Sequence, residues 1–331
     1  MLKTKTKRKI NARIDNFIIR LSQLKYLKDI KECCQDEVEA LRKEGYTITT
    51  LKDYLQRYRE AAKALRSKKQ RDQVNSIMRI EKQEKEALTF DYHSKVREFT
   101  FDAIKFPASK IDYFIDKAHY HLSKKTFAGA MMGLELLTGR RGVELLKKGH
   151  FYRLSEMNQA IDDTSKELPK FLINSPKEIQ KRIDYFNFNP DKTLLFWGQA
   201  KANNESKTTA TQPYPIPCLG DIDLIFEAFS WLRTNYPQYL EMDEREINIM
   251  THGGLNDYNS GVKHPRNYGM DFEAQHCNFK VLRKVYAAIN SYQLIGDEIE
   301  KDRVLYSLIL GHAIASEGTA ASYQYVRFVD R

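Results

Sequence analysis

Basic and nucleophilic side chains recur in four short segments between positions 136 and 326 of the 331-residue chain. The first segment, LLTGRRGVELL, places Arg140 and Arg141 just after Gly139, where one helix is predicted to end and another to begin. Backbone N–H groups and guanidinium groups in a first helical turn can bind an anion, although such a turn is more often a capped surface loop. The second segment, WGQAK, ends on Lys201, which by itself is typical of a solvated surface lysine.

The third and fourth segments add a basic helix face and a pair of tyrosines. In FKVLRKVYAAI, Lys280 and Arg283 are three residues apart and therefore share one face of a helix. The stretch LGHAIASEGTAASYQYV presents His312 after a predicted helix and then two tyrosines, Tyr323 and Tyr325. A tyrosine phenolate can act as a covalent nucleophile, but nothing within this stretch distinguishes the two candidates.

The chain is predicted to form two domains, and the second, residues 96–331, carries all four segments. Residues 1–95 are predicted to form a helical domain, because apolar residues recur there at three- and four-residue spacing. The charge of this segment makes it the predicted basic DNA-binding domain. Residues 1–85 hold 23 Lys and Arg against 12 Asp and Glu, whereas residues 86–331 hold 31 against 32. A basic module joined to a near-neutral one indicates a polyanionic partner, with nucleic acid ahead of an acidic membrane surface.

The clearest basic helix begins in TITTLKDYL, after a threonine N-cap candidate. Leu51, Tyr54, Leu55 and Tyr58 have the spacing of an inward-facing stripe. The outer surface would carry residues that can contact a phosphate backbone without reading sequence, namely Arg57, Arg59, Lys63, Arg66, Lys68 and Lys69.

Residues 96–331 are predicted to be mainly helical with one small β-hairpin. Within residues 193–219, apolar runs flank a polar stretch, which favours two strands joined by a long tip that carries Lys201. Pro213, Pro215 and Pro217 argue that the second strand is short or lies at a sheet edge. The expected fold class is mainly α with a small β-hairpin or sheet.

The hydropathy and the cysteines indicate the cellular location expected for the protein. There is no run of about 18 apolar residues and no apolar signal core at the N-terminus, so we expect neither a membrane span nor a secretory signal. The four cysteines show no C-x-x-C spacing, and no set of metal ligands has the spacing of a metal site. We therefore expect a reduced, cytoplasmic protein without a structural zinc site.

In chain order, the four segments read arginine, lysine, Lys-x-x-Arg, Gly-His and tyrosine. The chain thereby resembles the tyrosine recombinase superfamily, which shares its active-site chemistry with type IB topoisomerases. The common pattern of that superfamily is TGLRxSEL, a hairpin lysine, HxLR, LGH and TTxxY. Here these motifs read TGRRGVEL, GQAK, KVLR, LGH and TAASY, and they extend from residue 138 to residue 323.

Within the superfamily, the chain is most similar to the hairpin telomere resolvases, or protelomerases. The resemblance rests on the doubled arginine, on LLFWGQAK followed by YPIPCL, and on the eleven-residue interval from His312 to Tyr323, where ordinary integrases usually have nine. The segment YLQRYREAAKAL also resembles the helical DNA-clamping region that precedes the resolvase catalytic domain. We therefore expect a tyrosine-recombinase catalytic domain over residues 96–331.

Two features depart from the family pattern. Lys280 stands where the HxLR motif has histidine, a position that varies among resolvases. The sequence also ends eight residues after Tyr323, whereas resolvases typically continue, so we expect any C-terminal DNA-binding domain to be absent from this sequence.

The resemblance implies a role for each matched residue. Tyr323 would attack phosphorus to form a 3′-phosphotyrosine, and Arg141 and Arg283 would bind the phosphate. His312 would add a hydrogen bond, Lys201 would protonate the 5′-oxygen, and Lys280 would add positive charge. The resemblance further implies a homodimer on an inverted-repeat duplex, in the cytoplasm of a bacterial or phage-infected cell at the nucleoid. The reaction would need no metal, cofactor or ATP and would produce closed hairpin ends.

Three alternatives remain open at this point. Aligning TGLR on TGRR favours Arg141 as the catalytic arginine and leaves Arg140 in a normally apolar position, where it would contact DNA or an acidic side chain. A conventional site-specific recombinase or integrase would use the same chemistry for strand exchange between two duplexes. A DNA-binding protein with an inactive site is disfavoured, because all the catalytic residue types are present apart from the change to Lys280.

Overall fold

The computed structural model describes residues 2–101, 103–166, 173–200, 212–249, 251, 255, 279–296, 299–311 and 322–330. The chain divides into two compact units, Met1–Lys95 and Val96–Arg331. In the described ranges, no helix is long and apolar enough to cross a membrane. The fold is mainly helical with small sheets, which confirms the expected fold class.

The N-terminal unit consists of α-helices packed around an apolar core. The helices are α1 (Leu2–Gln23), α2 (Leu27–Lys43), α3 (Ile48–Ala61), α4 (Lys68–Ile77) and α5 (Lys82–Phe101), within which the unit boundary falls. The predicted cap is present, because the Thr47 side chain accepts a hydrogen bond from the Thr50 backbone N–H. Of the predicted inward stripe, Leu51, Leu55 and Tyr58 are buried and Tyr54 is half-buried.

A buried carboxylate ties the first three helices of this unit together. Glu37 of α2 accepts hydrogen bonds from Arg13 at 2.6 Å and Arg20 at 3.1 Å, both on α1. It also accepts one from the Tyr58 hydroxyl of α3 at 2.5 Å. A buried charge is tolerated when it is paired and hydrogen-bonded in this way.

The second unit surrounds a central, almost fully buried helix. Its helices are α6 (Ile111–Ser123), α7 (Phe127–Thr138), α8 (Met157–Ser165), α9 (Pro176–Tyr185), α10 (Ile222–Asn235), α11 (Gln238–Glu241), α12 (Phe279–Ile295) and α13 (Ile299–Ile309). All residues of α7 from Gly129 to Thr138 are buried, and α7 packs against α6, α10 and α12. A helix that is apolar on every side is buried on every side.

Two small sheets complete this unit. Strands β2 (His150–Arg153), β3 (Thr193–Trp197) and β4 (Tyr214–Pro217) form an antiparallel sheet in the order β2-β3-β4. The predicted hairpin is therefore confirmed, with a second strand that is four residues long and at the sheet edge. Strand β1 (Ile104–Pro107) pairs in parallel with β5 (Val326–Val329).

The turn after α7 depends on Gly139. This residue has a φ of 68°, the left-handed conformation that favours glycine at a helix end. A Cβ on Gly139 would lie 2.3 Å from the Tyr286 ring of α12. Both the backbone conformation and the close approach of that ring therefore require glycine, and the turn delivers Arg140 and Arg141 beside α12.

Candidate active site

Arg140 lies inside the protein and links three parts of the second unit. Its guanidinium donates to the Thr138 carbonyl at 3.0 Å, to the Tyr214 hydroxyl of β4 and to the Ile309 carbonyl at the end of α13. Its Cζ lies 4.7 Å from the ring centroid of Phe196 on β3. The side chain is 0% exposed. This burial argues against the expected DNA contact of Arg140, because the side chain has no exposed surface and donates to protein acceptors.

Arg141 points in a different direction and forms a half-buried ion pair. Its guanidinium donates to Glu144 Oε1 at 2.8 Å and to the Ala200 carbonyl at 3.1 Å. Its backbone N–H donates to Glu144 Oε2 at 2.9 Å, which is the N3 half of a capping box. Arg141 therefore retains accessible surface near the pair, whereas Arg140 does not.

Glu144 is the point at which separate segments meet. Its carboxylate also accepts from the Ala200 backbone N–H at 3.1 Å and forms an ion pair with Arg283 at 3.5 Å. Ala200 is thus held by both Glu144 and Arg141, and it immediately precedes Lys201 in the chain. Gln199 donates a hydrogen bond of 2.6 Å to the Leu310 carbonyl, which joins the segment that follows β3 to the residue that follows α13.

Arg283 of α12 is buried beneath the predicted nucleophile. It donates to the Leu310 carbonyl at 2.9 Å, and its Cζ lies 5.9 Å from the Tyr323 ring centroid. Its Nε has no hydrogen-bond partner among the described residues. A buried guanidinium with an uncommitted donor is suited to bind an incoming anionic oxygen.

Tyr323 sits in a short 3₁₀ turn, Ser322–Tyr325, just before β5. Its side chain is 9% exposed, and its ring centroid lies 6.3 Å from that of Tyr306 on α13. The structure therefore brings Tyr323, Arg283 and, through Glu144, Arg141 into one cluster.

The electrostatics of this cluster follow from burial and from the number of cations. Burial acts to raise the pKa of Glu144, but the guanidinium groups of Arg141, Arg283 and Arg140 outweigh it and lower that pKa to about 2. Burial raises the pKa of Glu135 on α7 well above its ordinary value. Glu144 therefore offsets only part of the positive charge of the three guanidinium groups around it.

The pKa of Arg283 depends on the same opposition between burial and neighbouring charges. Burial acts to lower its pKa, but the neighbouring Tyr323 and Glu144 raise that pKa above its ordinary value. Arg283 therefore stays charged throughout the accessible pH range, as binding of a phosphate requires.

Several residues predicted to act here lie wholly or partly outside the described residues. Lys201 and His312 lie outside the described residues, as does the tip of the hairpin. Lys280 belongs to α12 and Tyr325 to the 3₁₀ turn, but only their backbones are described.

The predicted DNA-binding residues of the N-terminal unit divide into two groups. Lys63, Arg66, Lys68 and Lys69 are exposed. Arg57 and Arg59 are half-buried and donate to Asn11 and to the Met78 carbonyl, respectively. The exposed group is therefore better placed to meet a polyanion than Arg57 and Arg59.

Sequence reasoning missed Glu144, Gln199 and Tyr214. A signal for Glu144 was present, because a glutamate three residues after a helix start is the second half of a capping box. No local pattern marks Gln199 or Tyr214, whose partners Leu310 and Arg140 lie 111 and 74 residues away.

A family match places the second unit in a class of DNA cleaving-rejoining catalytic domains. The family described as telomere resolvase ResT/TelK catalytic domain matches residues 105–327, which is more than half of the chain. The protein therefore belongs to the telomere resolvase family, and this membership disfavours the conventional recombinase alternative.

Solved structures with a similar fold are protelomerases. Protelomerase TelA covalently complexed with substrate DNA matches with a TM-score of 0.72 and 18% identity, over 97% of this chain and 88% of that one. A mutant of TelA complexed with a DNA hairpin product matches with a TM-score of 0.73 over the same shares. Protelomerase TelK complexed with substrate DNA matches with a TM-score of 0.51 and 16% identity, over 92% of this chain and 60% of that one. No curated protein matches the chain.

Proposed function

We propose that this telomere resolvase cleaves an inverted-repeat duplex with Tyr323 as its nucleophile and rejoins the strands as covalently closed hairpin ends. The observation that carries the proposal is the position of the Tyr323 ring 5.9 Å from the buried guanidinium of Arg283. A nucleophile beside a fixed phosphate-binding cation is the arrangement that attack on phosphorus needs.

The proposed reaction conserves the phosphodiester energy. The Tyr323 oxygen attacks the scissile phosphorus, a 3′-phosphotyrosine bond forms, and the bond to the 5′-oxygen breaks. Lys201 gives its proton to that oxygen as general acid. Arg141 and Arg283 bind the non-bridging oxygens, and His312 and Lys280 add further donors. The 5′-hydroxyl of the opposite strand then attacks the phosphotyrosine, displaces Tyr323 and closes the hairpin, so neither ATP nor a cofactor is consumed.

The proposed partner is duplex DNA bound by two copies of the chain, each cutting one strand. The TelA and TelK structures contain substrate DNA, and the exposed lysines and arginine of α4 and the segment before it supply a complementary charge. We further propose that the protein acts in the cytoplasm, at the nucleoid of a bacterial or phage-infected cell.

A pool of duplexes with randomised inverted repeats, incubated with the protein in EDTA, tests this function. Products are separated on a denaturing gel and the covalent adducts are sequenced. Snap-back hairpins are expected, whereas recombinant duplexes would indicate strand exchange. The absence of an adduct on a nicked suicide substrate would overturn the proposal.

The nucleophile is tested by a matched pair of variants. Tyr323→Phe removes the attacking oxygen and is expected to abolish the adduct. Tyr325→Phe removes the equivalent oxygen two residues away and is expected to leave adduct formation largely intact. The reverse pattern would assign the nucleophile to Tyr325.

A further inference from the structure

The parallel pair β1–β5 contains two like charges in direct register. The pairing sets Lys105 opposite Arg327. Side chains directly opposite on neighbouring strands lie close together, and like charges in that position repel and destabilise the sheet. A negatively charged group between the two cations would reverse that effect.

Arg327 also has donors that no described group accepts. Its Nε and Nη2 atoms are buried without a hydrogen-bond partner in the described part of the chain. Leaving such charged donors unsatisfied costs free energy that a bound acceptor would recover. The carboxylate nearest in sequence, Asp330, accepts from the Tyr292 hydroxyl.

The two cations line one cavity of about 220 Å³. Tyr292, Gly296 and Tyr306 form other parts of its wall. Gly296 follows α12, whose C-terminal end contributes about half of a negative charge, too little to neutralise two full positive charges. The ring of Tyr306 also packs against that of Tyr323, so the cavity adjoins the wall of the active site.

We infer that this Lys105–Arg327 cavity is a binding site for a phosphate group. A guanidinium holds two phosphate oxygens through its planar fork, and an ammonium adds a compact charge. One phosphate would therefore satisfy the buried donors of Arg327 and bridge the two opposed cations. The group is either a backbone phosphate of bound DNA, a case that rests on the proposed function, or a free phosphate.

Thermal unfolding tests the site independently of DNA. Inorganic phosphate is titrated against the protein at constant ionic strength, with chloride as the replaced anion. A saturated site is expected to raise the Tm by about 2–4 °C, and Arg327→Gln is expected to abolish that shift. Arg245→Gln removes an equal charge from an exposed position of the same unit and is expected to retain it.

The salt dependence of binding to a generic duplex tests the DNA source. Arg327→Gln is expected to lower the slope of log K against log salt concentration by about one, compared with Arg245→Gln. A lowered slope assigns the cavity to a backbone phosphate, and an abolished thermal shift with an unchanged slope assigns it to free phosphate.

Two outcomes would overturn the inference. One is the same phosphate shift in Arg327→Gln as in the wild type, and the other is no shift in the wild type together with an unchanged slope. Failure of the wild type to form a Tyr323 adduct, with the thermal shift intact, would count against the proposed function and leave the site standing.

Discussion

Glu144 and Arg283, 139 residues apart in the chain, form an ion pair of 3.5 Å in the interior of the second unit. Glu144 also receives Arg141 and the backbone of Ala200. One carboxylate thus sets the relative positions of two predicted phosphate ligands and of the strand end that precedes Lys201. Because the arginines outnumber the carboxylates, the cluster keeps a positive charge, which the proposed binding of the scissile phosphate requires.

Glu144→Gln is expected to destabilise the protein and to slow adduct formation. Removing one partner of a buried ion pair leaves an uncompensated charge and typically costs about 3–5 kcal/mol. Urea unfolding measures the loss of stability, and single-turnover adduct formation measures the loss of rate. Glu246→Gln, at an exposed glutamate of the same unit, is the control and is expected to change neither.

The same carboxylate predicts an acid dependence. The pKa of Glu144 is about 2 in the folded protein, which is below the value of about 4.3 in an unfolded chain. Its contribution is therefore fully present above about pH 5 and is lost as the pH falls towards 2, with a size of about 3 kcal/mol. The difference in unfolding free energy between the wild type and Glu144→Gln is expected to shrink over that range. A difference independent of pH would contradict the assignment.

Arg140→Leu, which restores the residue usual in the superfamily pattern, is expected to impair stability without weakening the affinity for DNA directly. The change leaves the Tyr214 hydroxyl and the Thr138 and Ile309 carbonyls without their donor, and each unsatisfied buried group costs about 1–3 kcal/mol. Thermal unfolding measures the first effect. The salt slope of binding to duplex DNA measures the second, and a reduced slope would show that Arg140 contacts phosphate after all.

Charge removal on the N-terminal unit is expected to weaken DNA binding and to leave the stability of the protein nearly unchanged. Lys63, Arg66, Lys68 and Lys69 are exposed, so changing each to Gln should leave the stability within about 0.5 kcal/mol. For every side chain of this group that binds a DNA phosphate, the change should lower the salt slope by about 0.9. Lys28→Gln, at an exposed position on α2 beside Glu32, serves as the control. Equal slopes for the fourfold variant and the wild type would place the DNA elsewhere.

Comparing Gly139→Ala with Gly45→Ala separates the cost of backbone strain from the cost of a steric clash. A positive φ alone costs a non-glycine residue about 1–2 kcal/mol, and at Gly139 the new Cβ would also meet the Tyr286 ring. Gly45→Ala is the matched control, because its φ is 71° and nothing lies within 4 Å of the added Cβ. Urea unfolding is expected to show a clearly larger loss of stability for Gly139→Ala. Equal losses would mean that α12 moves to make room.

Local signals in the sequence were sufficient for many helices, for the β3–β4 hairpin and for the order of the motifs, but not for strands β1, β2 and β5. Glycine with a positive φ ended α7, a threonine hydroxyl capped α3, and prolines kept β4 short, because each of these effects acts within a few residues. The motif order likewise assigned the catalytic domain and favoured Arg141 over Arg140 within the doubled arginine.

Only the tertiary structure decided what those residues touch. Two adjacent arginines of identical chemistry have opposite environments, because Gly139 turns the first into the interior and the second towards Glu144. The convergence of Glu144, Arg283 and Tyr323 and the opposition of Lys105 and Arg327 depend on packing between segments far apart in the chain. Burial and neighbouring charges together then shift the pKa of each group, and both are properties of the packed fold that no local pattern contains.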